Sequence, residues 1–233
     1  MPVIRDADAA VRYIESRGIL LFLPCGVPGF SLYENMEPDL FETDEKSLNP
    51  WYWRFEFAYA DNLFYGQFFD GRLGFVRRDL FPAFAALRRG SRTPETMLES
   101  DDLTADAKTF YRALPAWAEW TLADAMTRVP PLETRLETIA KELQTKTLLF
   151  TSGFRYKRKK TGEEYGWPAS LYARPDEEFD GPLADLFPPR DEALALLREA
   201  TGWEALDEAN RKRLDELLLG KKKRGKPRGR RKH

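Results

Sequence analysis

Five cations, Arg155, Lys157, Arg158, Lys159 and Lys160, crowd into six residues of the stretch GFRYKRKKTGEEYGW. Tyr156, Tyr165 and Trp167 stand among them. Cations interleaved with aromatics suit phosphate contact combined with stacking on bases or sugars. A solvated turn is the plainer account, because Glu163 and Glu164 offset part of the charge. A second basic run closes the chain. KKKRGKPRGRRKH carries Lys221, Lys222, Lys223, Arg224, Lys226, Arg228, Arg230, Arg231 and Lys232 and no acid. Gly225, Pro227 and Gly229 break any helix there, so it reads as a disordered basic tail, either solubilising or an anchor for nucleic acid. DNA is the expected partner, and RNA would satisfy the same charges through the tail.

The net charge of −1 hides this segregation: without the tail, 28 bases face 38 acids, so the body carries about −10. His233 is the only histidine and Cys25 the only cysteine. Histidine-based triads, thiolate–histidine pairs and zinc sites of the usual kinds are thereby excluded, and no cofactor is implied. Carboxylates alone remain for catalysis. Glu56, Asp61, Asp70 and Asp79 lie near an aromatic-rich segment where burial would raise a carboxyl pKa, but no pair is marked by its spacing. The longest early apolar run, ILLFLP, is far too short to span a bilayer, so the expectation is a soluble cytoplasmic protein without a membrane partner.

The elements that must position these residues follow from periodicity. Ala10, Val11 and Ile14 give a short amphipathic helix ended by Gly18, and ILLFLP follows as a buried strand. WYWRFEFAY alternates and predicts a strand, with Trp51, Trp53, Phe55, Phe57 and Tyr59 on one face, which reads as sheet core, the alternative being an exposed platform for stacking bases. LFYGQFF and RLGFVRR predict two more strands, and DLFPAFAALRRG a helix. SRTPETMLES is polar and breaks the pattern. Beyond it, Ala107, Phe110, Tyr111 and Leu114 mark a helix capped by Asp102 or Thr104. Thr121-Leu-Ala-Asp124 has the form of a capping box opening a helix through Val129. Leu132, Leu136, Ile139 and Leu143 mark a third helix that starts directly after Pro130-Pro131.

Three helices followed by the basic hairpin stand in the order of a winged helix-turn-helix, whose third helix enters the major groove and whose wing touches phosphates or the minor groove. The third helix carries Arg135 and Lys141, but Glu133, Glu137 and Glu142 share its polar face and argue against strong base readout. The predicted class is α+β. A small mixed N-terminal sheet with helices spans 1–95, a winged helix-turn-helix 100–175, a helical segment 176–219 and the basic tail 220–233.

WYW and NLFYGQFFDGRLGFVRRDLFPAFAAL, followed by LTADAKTFYRAL and RLETIAKELQTKTLLFTSGFRY, give the chain a resemblance over roughly residues 8–200. It resembles small bacterial winged-helix proteins related to the alkyl-purine and crosslink-repair DNA glycosylases (AlkZ/YcaQ-like). The resemblance implies DNA binding through the winged helix and a role near DNA repair. Catalytic members carry a Gln-x-Gln or Gln-x-Asp motif that positions water. This chain has only Gln67 and Gln144, neither in such a motif, with Asp70 one residue too far along. The expected function is therefore a non-enzymatic, winged-helix DNA-binding protein of modest sequence specificity, linked to repair or regulation. The alternatives are a divergent glycosylase or a protein-interaction module.

Overall fold

The computed structural model describes residues 4–220, so the basic tail cations lie outside the described residues. Asp6 accepts the Ala9 amide at the start of α1 (Ala7–Arg17), and Gly18, at φ 70°, ends the helix where the sequence predicts. β1 (Ile19–Leu21) follows, buried throughout.

WYWRFEFAY is not a strand. It forms α2 (Pro50–Phe57), because Asn49 accepts the Trp51 amide and Pro50 occupies the first turn. Trp53 and Phe57, four apart, then point into the core, and the Trp53 indole donates to the Ser47 carbonyl at 2.6 Å. Aromatics lie all around this short helix, so an alternating pattern and a helical one fitted the same letters.

The two predicted strands form as β2 (Leu63–Phe69) and β3 (Arg72–Arg77) and pair antiparallel, and α3 (Phe81–Arg89) follows a single 3₁₀ turn. The polar segment expected to be a break contains α4 (Pro94–Glu99), again opened by a cap and a proline, Thr93 and Pro94. α5 (Ala105–Ala113) is capped by Thr104, and α6 (Leu122–Met126) carries the full reciprocal capping box of Thr121 and Asp124. α6 stops at Met126, three residues short of Val129. α7 (Leu136–Thr145) begins later than expected: residues 131–135 stay extended or turned, with the Thr134 amide held by Asp106 at 2.8 Å. β4 (Phe150–Arg158) and β5 (Glu164–Ala173) form the expected hairpin, and α8 (Arg190–Ala200) and α9 (Glu208–Leu219) complete the order.

The five strands make one sheet in the order β1-β3-β2-β4-β5, with every pairing antiparallel. The sheet expected to be mixed and confined to the first 95 residues therefore also takes in the basic hairpin, joined where Tyr65 faces Thr151. β2 explains the arrangement: Phe64 and Phe68 enter a core under α3, α8 and α9, while Leu63 and Tyr65 enter a second core with α1 and α2. A central strand apolar on both faces has to be covered by helices on both faces. A third core, built on Phe110, Trp120, Ile139, Leu143 and Leu149, holds α4 to α7 together at the hairpin side. The fold is α+β, as expected.

Candidate nucleic-acid interface

Strand alternation divides the hairpin base. Phe154 and Tyr156 turn toward α2, with rings 4.8 and 6.1 Å from Phe55, while Arg155 turns toward α6 and meets Asp124 at 2.8 Å. Tyr59 pins the same strand: its hydroxyl accepts from the Phe154 amide at 3.1 Å and donates to the Phe154 carbonyl at 3.0 Å. The Tyr59 ring lies over Gly153, where any Cβ would be crowded. The basic arm thus projects from a base fixed on two sides.

All five hairpin cations are exposed. Three of them hold partners at the surface, Arg155 with Asp124, Arg158 with Glu164 at 3.1 Å and Lys159 with Glu163 at 2.9 Å. Exposed pairs of this kind are worth only ~0–1 kcal/mol each, so an incoming phosphate competes with them on even terms. Beside the arm lies an aromatic patch that the sequence did not reveal. Tyr52 stacks on Trp167 at 5.1 Å, Phe55 packs edge-on against Trp167, and Arg54 sits 5.4 Å over the same indole. Trp167 is 55% exposed. The patch exists because residues 50–57 are helical: Tyr52 and Phe55 turn to the hairpin while Trp53 and Phe57 go inward.

Arg135, expected on the third helix, sits just before α7 with extended backbone; it and Lys141 on α7 are exposed, and the Lys141 stem lies across the β2–β3 turn at Gly71, a position that needs glycine for its φ of 85° and because a Cβ would strike the lysine. Of the acids expected to spoil the helix, Glu142 is a tie to α5, accepting from the Thr104 amide at 2.9 Å and from its hydroxyl at 2.7 Å. Glu137 remains exposed.

Asp124 serves two elements at once. The Thr121 amide and hydroxyl hold its carboxyl below the ordinary range, and Arg155 lowers it further. A depressed folded value means that this stabilisation is present above the unfolded carboxylate pKa of ~3.9 and is lost as pH falls through the lower folded value. Asp124→Ala is expected to cost about 1 kcal/mol in thermal or urea unfolding through loss of the cap. The same substitution releases Arg155, so duplex affinity should rise several-fold while stability falls; an unchanged affinity would show that Arg155 is not a contact.

No general acid stands out among the carboxylates named from sequence. Asp79 is bound by Arg77 at 2.6 Å, which holds its carboxyl below the usual range, opposite to the shift a proton donor needs. Asp61 and Glu56 are exposed, and Asp70 lies 3.9 Å from the buried Arg88. No group of His, Cys, Asp and Glu among the described residues could hold a metal ion. No helix among them is long and apolar enough to cross a membrane.

The two glutamines, distant in sequence, meet. Gln144 is buried, and its Oε1 accepts the Gln67 amide at 3.0 Å and faces the Thr151 hydroxyl at 3.4 Å, joining α7 to β2 and β4. Its side chain is a structural staple and is not poised for water. Gln144→Leu should cost about 1–3 kcal/mol in chemical denaturation by orphaning the Gln67 amide; an unchanged midpoint would refute that role.

The sequence matches the AlkZ-related family over residues 4–218, nearly the whole chain. The chain belongs to the AlkZ-related family. Membership bears out the resemblance drawn from the β2–β3 and α7–β4 segments and supports a link to DNA repair and glycosylase relatives. No curated protein and no solved structure matches the chain.

Proposed function

We propose that this member of the AlkZ-related family is a non-enzymatic nucleic-acid-binding protein of modest sequence specificity whose α5–α6–α7–β4–β5 segment works as a winged helix. The observation that carries the reading is the projecting basic arm: five exposed cations on a strand pair fixed at its base by Tyr59 and Asp124, beside the half-exposed Trp167. Arg155, Lys157, Arg158, Lys159 and Lys160 meet phosphates, and Trp167 stacks on a sugar or base beside them. Arg135, just before α7, and Lys141 on it add backbone contacts. Lys221, Lys222, Lys223, Arg224, Arg228, Arg230 and Arg231 raise affinity without reading sequence. Duplex DNA is the preferred partner, and the cytoplasm the compartment.

An electrophoretic series with duplex DNA, single-stranded DNA and RNA tests this directly. Duplex retained well ahead of RNA supports the reading; RNA bound more tightly than duplex would move the partner elsewhere. Family membership favours one second reading, a divergent glycosylase. Release of an alkylated base from duplex, abolished by one carboxylate substitution, would establish it in place of the binding-only role.

A further inference from the structure

Away from the hairpin, the β2–β3 turn, the end of α3 and the last turns of α9 enclose a cavity of about 1060 Å³. Leu219 gives it an apolar wall, backed by the buried Phe69, Leu87 and Leu217. Its charged lining is dominated by arginine. Arg88 is the unusual member: its side chain is 2% exposed, its Nη2 donates to the Leu217 carbonyl, and its Nε has no acceptor. Asp70, at 3.9 Å, is its carboxylate partner at the edge of ion-pair range. Burial pushes the guanidinium down to about 10, against the pull of Asp70, so it remains a cation at neutral pH. A buried cation with an unmatched donor is costly, and a phosphate reaching Arg88 would offset its charge and supply the missing acceptor.

Around Arg88, Arg72, Arg190 and Arg213 also line the cavity. Arg213 donates to the Gly26 carbonyl at 2.7 Å, and Arg72 and Arg190 are exposed at the mouth. Of the acids present, Asp70 faces Arg88 and Asp102 pairs with Arg92, which leaves Glu216 as the remaining carboxylate on the lining. Guanidinium forks match the oxygens of a phosphate, and an apolar wall suits a flat organic body attached to it. The volume is just above the usual range of small-molecule sites, ~300–1,000 Å³.

We infer that this cavity binds a nucleotide-sized organic phosphate, with the phosphate held by Arg72, Arg190 and Arg88 and the organic body against Leu219 and the edge of Leu217. The site is separate from the hairpin and does not depend on the proposed DNA contact.

Calorimetric titration of the full chain with dAMP, deoxyadenosine and inorganic phosphate tests it, alongside the exposed double variant Arg72→Ser/Arg190→Ser. The expected result is saturable dAMP binding, at least about tenfold weaker in the double variant, with deoxyadenosine inert. The unliganded melting temperature of the variant should be unchanged, which separates a defect in binding from a defect in folding. A hairpin variant with its five cations replaced should bind dAMP like wild type, so the two sites fail independently. A 5′-phosphorylated oligonucleotide that competes with dAMP would identify a strand end as the source; one that does not would leave a free nucleotide. No dAMP binding up to about 10 mM, equal binding by the double variant, equal binding of deoxyadenosine, or loss of dAMP binding in the hairpin variant would overturn the inference.

Discussion

Replacing Asp176 by alanine is expected to lower folding stability by about 3–5 kcal/mol, a large effect for a single polar substitution. The reason is Arg89, whose side chain is completely buried at the end of α3. Its two Nη atoms donate to the two Asp176 oxygens at 2.8 and 2.7 Å, and its Nε donates to the Thr147 hydroxyl at 3.0 Å. Its Nη2 also reaches the Thr147 carbonyl, and the Phe187 ring lies 5.9 Å away. One guanidinium thus ties α3 to the α7–β4 connection and to the turn after β5. Without Asp176, a buried charge keeps its hydroxyl and carbonyl acceptors but loses its counter-ion. Asp176→Asn should fall between wild type and alanine, since it keeps hydrogen-bond acceptance and loses the charge. Guanidinium denaturation reads the result, and a loss below about 1 kcal/mol would mean that the Thr147 acceptors alone suffice for the buried guanidinium.

The second large effect concerns affinity. Serine at all five hairpin positions, Arg155, Lys157, Arg158, Lys159 and Lys160, should weaken duplex binding about a hundredfold or more at low salt. It should also reduce the salt slope by about 4 to 5, since each neutralised phosphate contributes about 0.9. The far-ultraviolet spectrum should stay as in wild type, because the arm projects beyond the three cores and its ion pairs are exposed. Deletion of residues 221–233 serves as the comparison and separates the two basic elements. Equal affinity in both variants and wild type would place the interface on another surface.

Local signals were legible from the letters alone: the Thr121–Asp124 capping box, Gly18 as a stop, and the hairpin with its basic turn. The two missed helices share one signature. Both α2 and α4 open with a capping side chain followed by proline, Asn49-Pro50 and Thr93-Pro94, and in each case the more visible pattern, aromatic alternation or polarity, hid it. The patch around Trp167 went unseen for the same reason, since it depends on Tyr52 and Phe55 lying on a helix. Long-range partners were not legible at all. Tyr65 opposite Thr151, Gln67 with Gln144, and Arg155 with Asp124 are set by how the sheet closes, and nothing in either local stretch marks them. The basic arm was found early because charge density is local; its counter-ions were found only in three dimensions.

On the proposed function, the exposed basic arm binds nucleic acid through phosphate contact. The most direct test is the affinity of the full chain for a duplex measured across a salt series by fluorescence anisotropy. A linear fall of log affinity with log salt, with a slope of about −4 or steeper, is predicted from five or more phosphate contacts. Affinity that is absent at low salt, or that barely changes as salt rises to physiological levels, would contradict the account.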